Sequence, residues 1–250
     1  MIFGLFGSRT PTVPGRPPRG QAAILDITIV AMASLAETRD NETGNHIRRT
    51  QHYVRLLALR LHRSPRFRAH LGHAAIDLIF KSAPLHDIGK VGIPDRILLK
   101  PGRLTPEEFE IMKRHTTLGR EAIEAAERQL GVPLPILAVA KEIAESHQEK
   151  WDGSGYPRGL KGEGIPLSAR LMAVADVYDA LISRRTYKPA LSHAAAVRIM
   201  AQGRGTHFDP DILDAFLEIA ERFREVSERF RDSELDHATL RRRAVEGLGA

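Results

Sequence analysis

The sequence predicts an all-α fold, a compact multi-helix bundle. Apolar residues recur at spacings of three and four through most of its 250 residues, strand-like alternation is nearly absent, and no internal repeat interrupts the pattern. A hydrophobic fraction of 42% against 27% charged residues supplies enough apolar material for a core and argues against a largely disordered chain.

The elements follow in order. Residues 1–20 carry Pro11, Pro14, Pro17 and Pro18 among Gly and Arg and read as a flexible leader. From Gln21 a helical stripe runs through Ile24, Ile27, Ala31 and Leu35. A break at Arg39–Asn45 precedes a second helix bearing Ile47, Tyr53, Val54, Leu57 and Leu61. Further helices are predicted at Ala74–Leu85, Pro106–Lys113, Leu118–Leu130, Pro135–Ser146, Ser168–Ile182, His193–Ala201 and Pro210–Val226. Ile219, Phe223, Val226 and Phe230 continue an apolar stripe, read as a packing face with a partner helix as the alternative. The expected organisation is a leader at 1–20, a folded domain at 21–230, whose first helix resembles a linker, and a basic tail at 231–250.

Composition excludes several classes. With no cysteine, disulfides, thiolate metal sites and cysteine nucleophiles are ruled out. No apolar run approaches the roughly 20 residues of a membrane span, and Met1–Phe6 lacks the form of a secretion signal, so a cytoplasmic protein is expected. The net charge of +6 lies largely in the ends, at Arg9, Arg16, Arg19 and Arg241–Arg243, which favours solvated charge over a nucleic-acid polymer or a membrane as partner.

Histidines and carboxylates then form a set. Glu42 precedes His46 by four residues. His86-Asp87 follows an apolar stretch, His115 sits between two helices, and His147 ends a helix before Trp151-Asp152-Gly153-Ser154-Gly155-Tyr156-Pro157. Asp176 interrupts one of the most apolar stretches in the chain, where an ionised carboxylate is costly unless compensated. Alone, each has an ordinary explanation: an Asp paired with an arginine, a histidine packed at a helix end, a surface pair at a helix start. Together, imidazole and carboxylate without sulfur form the ligand set of Fe, Mn, Zn or Ni hydrolytic centres.

These residues resemble the HD superfamily of metal-dependent phosphohydrolases, and longer strings resemble its HD-GYP group of bacterial cyclic-di-GMP phosphodiesterases. The strings are His86–Pro94, Lys100-Pro101-Gly102-Arg103-Leu104, Met112-Lys113-Arg114-His115, Asp152–Pro157 and Asp176-Val177-Tyr178-Asp179-Ala180-Leu181, in an order shared with that group from about Asp26 to Glu225. The resemblance implies an HD-type bundle with a metal centre in its core. It implies metal ligands at Glu42, His46, His86, Asp87, His115, His147 and Asp176, with Asp87 bridging two ions and Glu42 matching the ligand of a third in some members. Asp87 and Lys90 would be catalytic, Lys90 as a point charge near the scissile phosphate. Tyr156, Arg185 and Lys188, with Gly155 in the loop and Asp40 as a weaker match, would hold the dinucleotide. A surface Arg and Lys is the bland reading of Arg185 and Lys188, a loop carboxylate that of Asp40, and a tight turn with positive φ at Gly153 and Gly155 that of the loop.

The implied activity is hydrolysis of cyclic-di-GMP to pGpG, with GMP as a further product if the opened dinucleotide is cut again, through a metal-bridging hydroxide supported by two or three divalent ions, Fe or Mn foremost. One departure bears on it. The group commonly has two adjacent histidines before Glu-Lys-Trp-Asp-Gly, and here Gln148 follows His147. That leaves a second reading: a weakly active or inactive receptor for cyclic-di-GMP or for a diguanylate cyclase (GGDEF) partner. A receiver domain acting in trans and a homodimer complete the expected partners.

Overall fold

Local chemistry sets where several of the helices begin or end. The structure is a computed structural model describing residues 19–39, 44–183 and 190–233, with side chains described from Ile24 onward except that of Gly44. Helices α1 (Arg19–Glu37) and α2 (Gly44–Leu61) are followed by a short α3 (Pro65–Arg68) and by α4 (His73–Ser82). Two 3₁₀ turns, Ala83–Leu85 and Ile88–Gly92, lead to α5 (Asp95–Leu98). Then come α6 (Pro106–Lys113), α7 (His115–Leu130) and α8 (Pro135–Ser146). After a 3₁₀ turn at Gly162–Gly164, α9 (Leu167–Ile182), α10 (His193–Ala201), α11 (Pro210–Glu218) and α12 (Ala220–Arg229) complete the fold. No strand occurs among the described residues, so the all-α expectation holds.

The entry to α6 is a capping box: Glu108 N–H donates to Thr105 Oγ1 at 3.3 Å and Thr105 N–H to Glu108 Oε2 at 2.8 Å, with Pro106 at the first turn. Asp209 accepts from Asp211 N–H at 2.9 Å ahead of Pro210, and Gly131 closes α7 at φ +69°.

Three sequence expectations are corrected. Ala74–Leu85 is not one helix: α4 stops at Ser82, and Pro84, which lacks an N–H, holds the next turn in 3₁₀ form. The helix expected from Leu118 begins at His115. Pro210–Val226 is two helices, broken at Ile219 (φ −114°, ψ 15°), with the apolar period continuing across the break.

The core sits where α2, α9, α11 and α12 meet. Tyr53 stacks on Phe223 at 4.4 Å between centroids, Tyr178 meets both rings edge-on at 5.3 Å, and Phe216 meets Phe223 edge-on at 4.9 Å. Phe223 is therefore a packing residue, and Phe230 further along the stripe stacks on His52 at 4.9 Å. This aromatic block presses α2 against α9, the helices that carry His46 and Asp176. A second cluster of Ile29, Leu85, Ile123, Ile136, Ala140 and Ala144 joins α1, α7 and α8 to the first 3₁₀ turn.

The turn after Asp87 lies against α7 because neither chain has a side chain in the way. A Cβ on Gly89 would fall 1.9 Å from the His115 carbonyl oxygen and 2.4 Å from the Gly119 nitrogen, both main-chain atoms. Gly89→Ala is expected to cost about 1–3 kcal/mol, the range for overpacking a close contact, and to push His115 away from Asp87. Urea unfolding measures the first effect. Stability equal to that of the parent would show that the two segments can separate at no cost.

Candidate metal centre

Four imidazoles converge, and in each the Nδ1 is occupied. His86 Nδ1 lies 3.0 Å from the Ala83 carbonyl, His115 Nδ1 2.7 Å from Met112 O, and His147 Nδ1 3.0 Å from Ile143 O. His46 Nδ1 lies 2.9 Å from Asp179 Oδ2. A carbonyl or carboxylate can only accept, so these partners assign the proton to Nδ1 in all four rings and leave the lone pair on Nε2.

The Nε2 atoms face two carboxylates and one another. His46 Nε2 is 3.3 Å from His86 Nε2 and 3.8 Å from Asp176 Oδ1. Asp87 Oδ1 is 3.3 Å from His115 Nε2 and 3.5 Å from His147 Nε2, while Asp87 Oδ2 is 3.3 Å from His86 Nε2. Two ligand groups result, His46–His86–Asp176 and Asp87–His115–His147, each with its donor atoms within 4.8 Å of one another. Asp87 faces both through its two oxygens, the position a bridging carboxylate needs.

The site fits a divalent cation on its own chemistry. Asp87 Oδ1, His115 Nε2 and His147 Nε2 are buried without a hydrogen-bond partner, and orphaned acceptors of this kind are costly unless a cation answers them. The Nε2 atoms of His46 and His86 approach each other to 3.3 Å beside these acceptors, and the two rings belong to the same candidate ligand group. An all-N/O donor set suits borderline and hard first-row ions.

Charge around the centre is set by burial against nearby ions. Burial opposes ionisation of Asp87, but Lys90, whose Nζ lies 2.7 Å from Oδ2, and His86 hold its carboxyl well below the ordinary range. Burial pushes His115 down to about 4, so its ring is neutral near pH 7. For His147 burial acts the same way and is outweighed by Asp87 and Asp176, which raise it.

The Asp152–Pro157 loop lies beside the centre. The Tyr156 ring sits 6.3 Å from that of His115, and Lys113 Nζ lies over both Tyr156 (5.7 Å) and Phe109 (5.1 Å). Gly153 has φ +88°, as a turn requires, but Gly155 does not have positive φ. Gly155 is needed for space instead: a Cβ there would lie 2.3 Å from the Lys150 nitrogen.

The structure thus brings His46, His86, Asp87, Lys90, His115, His147, Gly155, Tyr156 and Asp176 to one region. Asp40, Glu42, Arg185 and Lys188 lie outside the described residues.

A model of the HD domain matches residues 31–212. A Vibrio cholerae protein named "probable cyclic di-GMP phosphodiesterase" is 63% identical over 192 residues, 77% of this chain and 44% of that one. A Thermotoga maritima protein named "cyclic di-GMP phosphodiesterase" is 44% identical over 203 residues, 81% of this chain and 51% of that one. The chain belongs to the HD domain family, in its HD-GYP branch.

The chain spans about half or less of the length of these relatives. Among solved structures, a cyclic GMP-AMP specific phosphodiesterase from V. cholerae shares the HD fold with a TM-score of 0.55 at 18% identity, covering 86% of this chain and 53% of that one.

Two residues of this HD-GYP chain escaped the sequence reading. Asp179, rather than Asp176, is the fully buried carboxylate of α9: its side chain is 1% exposed against 16% for Asp176. Arg49 and His46 flank it, so the arginine pairing considered for Asp176 belongs to Asp179. Glu149, also buried, accepts from the N–H groups of Arg158 (2.8 Å) and Leu160 (3.0 Å) and so ties down the far side of the Gly-Tyr-Pro loop. The repeated carboxylate period of α9 was a visible signal for Asp179. Nothing local marked Glu149.

Proposed function

We propose that this chain is a metal-dependent cyclic-di-GMP phosphodiesterase, cleaving the dinucleotide to pGpG, with GMP formed if the opened dinucleotide is cut again. The observation that carries the reading is the convergence of four Nδ1-protonated imidazoles with Asp87 and Asp176 around orphaned acceptors. The names of relatives at 44–63% identity support the substrate.

In this reading His46, His86 and Asp176 hold one divalent ion, and His115 and His147 hold a second, with Asp87 between them. Glu42 serves a third where one is present. When bound there, such ions supply Lewis acidity to the phosphoryl oxygens and acidity to water. Lys90 stands beside Asp87, where its ammonium balances negative charge growing on the phosphoryl group. Tyr156, carried close to His115 by the Gly155 turn, offers a ring face to a nucleobase. Asp40, Arg185 and Lys188 complete the dinucleotide contacts, the last two at its phosphates.

Fe or Mn is the expected metal. Residues 21–230 form the active domain, with 1–20 a leader and 231–250 a basic tail. A cytoplasmic setting, a receiver domain in trans, a cyclase partner and a homodimer belong to the same proposal; no helix of the described residues is long and apolar enough to cross a membrane.

Gln148 favours a second reading, binding without useful turnover, because its amide oxygen is a weaker ligand than imidazole. Metal analysis of protein purified without oxygen, coupled to a time course of cyclic-di-GMP breakdown, separates the two. Bound Fe or Mn with pGpG accumulating is the expected result. Full metal occupancy with intact cyclic-di-GMP would select the receptor reading, and turnover restored by Gln148→His would identify the cause.

A further inference from the structure

The four rings of the centre differ in what stands behind them. His86, His115 and His147 each lean on a carbonyl of the turn just before them. His46 leans on a carboxylate 133 residues away in sequence. Asp179 is itself saturated: Arg49 Nε donates to Oδ1 at 2.7 Å, an Arg49 Nη to Oδ2 at 2.9 Å, and Ser183 Oγ to Oδ2 at 3.1 Å. The other Nη of Arg49 donates to the Phe230 carbonyl at 2.9 Å and lies 3.1 Å from Asp232 Oδ1. Arg49 and Asp179 are 3% and 1% exposed, so neither contact is loosened by solvent.

We infer that Asp179 and Arg49 are positioning residues for His46, and that the segment just after α12 acts through them on one half of the metal centre. The inference rests on the metal reading above. A carboxylate behind an imidazole fixes its tautomer, orients the ring and makes its free nitrogen a stronger donor. The His46–His86–Asp176 group has that support at His46. The Asp87–His115–His147 group has only main-chain carbonyls behind its rings. Loss of Asp179 therefore weakens one ion and spares the other, which separates positioning from general support of the fold. Asp232 sits at the outer end of the path, with Arg49 Nη1 its contact to the relay.

The test is calorimetric titration of the full chain, stripped with chelator, with Mn²⁺. The parent is expected to take up two ions. Asp179→Asn is expected to bind one of them about 10–100-fold more weakly, the usual effect of losing such a partner, with the affinity for the other unchanged. Asp232→Asn, which leaves Asp179 and His46 in place, is expected to give a smaller loss at the same ion; it carries the test alone if Asp179→Asn does not fold. Parent-like affinities for both ions in the folded variants would overturn the inference. So would equal weakening of both ions together with a lower unfolding midpoint of the stripped protein, which is what a merely structural pair would give. A parent chain that binds no Mn²⁺ would overturn the metal reading itself, and that outcome is seen before any variant is made.

Discussion

Asp87→Asn is expected to leave a folded protein that retains neither ion and hydrolyses cyclic-di-GMP on the order of a thousandfold more slowly. Asp87 faces both candidate ligand groups, with Oδ1 toward His115 and His147 and Oδ2 toward His86 and Lys90. An Asn of the same shape removes the negative charge and turns two N–H donors toward ring nitrogens or the lysine. Lewis-acid stabilisation is worth several kcal/mol of transition-state charge, and each 1.36 kcal/mol is tenfold in rate, so about three orders of magnitude follow. Asp87 belongs to none of the apolar clusters, so folding should survive. Metal content, circular dichroism and initial rates on one preparation check all three parts. A variant that keeps two ions and parent-like rates would remove Asp87 from the centre.

Arg49→Met carries the largest expected effect on stability, a loss of about 3–5 kcal/mol, because it strands the buried Asp179 without its cation. Burial opposes ionisation of Asp179, and the His46 hydrogen bond and the Arg49 charge hold it down to about 2, so removing Arg49 leaves the burial cost opposed by His46 alone. The variant also opens the hydrogen bonds to Phe230 and Ser183. The double variant Arg49→Met/Asp179→Leu should regain much of the stability, since replacing a whole buried pair by apolar residues is often neutral. It should not regain the affinity of the ion beside His46, whose Nδ1 then has no carboxylate. Urea unfolding of both variants checks the first statement. A single variant as stable as the parent would mean that Asp179 finds another cation or water.

The bundle was legible in the sequence because its helices announce themselves locally. Thr105-Pro106 with Glu108 starts α6, Pro135 starts α8, and Asp209-Pro210 starts α11. The candidate ligands stood out because their types and order were unusual, not because any spacing implied a shared region: His46, His86 and His147 arrive from three separate elements. What stayed hidden depended on contacts between distant segments. The break at Ile219 carries neither Gly nor Pro, and Phe216 and Phe223 keep one period across it. Asp176 and Asp179 lie three residues apart on the same helix, so only the position of Arg49, 130 residues before Asp179, tells which of them is paired with an arginine and which stands in the candidate ligand group. Gly155 looked like a conformational glycine and is instead a steric one, a distinction that requires the place of Lys150.

The carbonyls behind His86, His115 and His147 have a consequence for how the protein would compete for scarce metal. Each ring is aimed by its own turn of backbone before anything arrives, so uptake does not have to halt a swinging side chain, a cost of about 0.5–1.5 kcal/mol apiece in adaptable sites. Rings aimed in this way would gain grip on an ion at the expense of tolerance for one that prefers longer or shorter bonds.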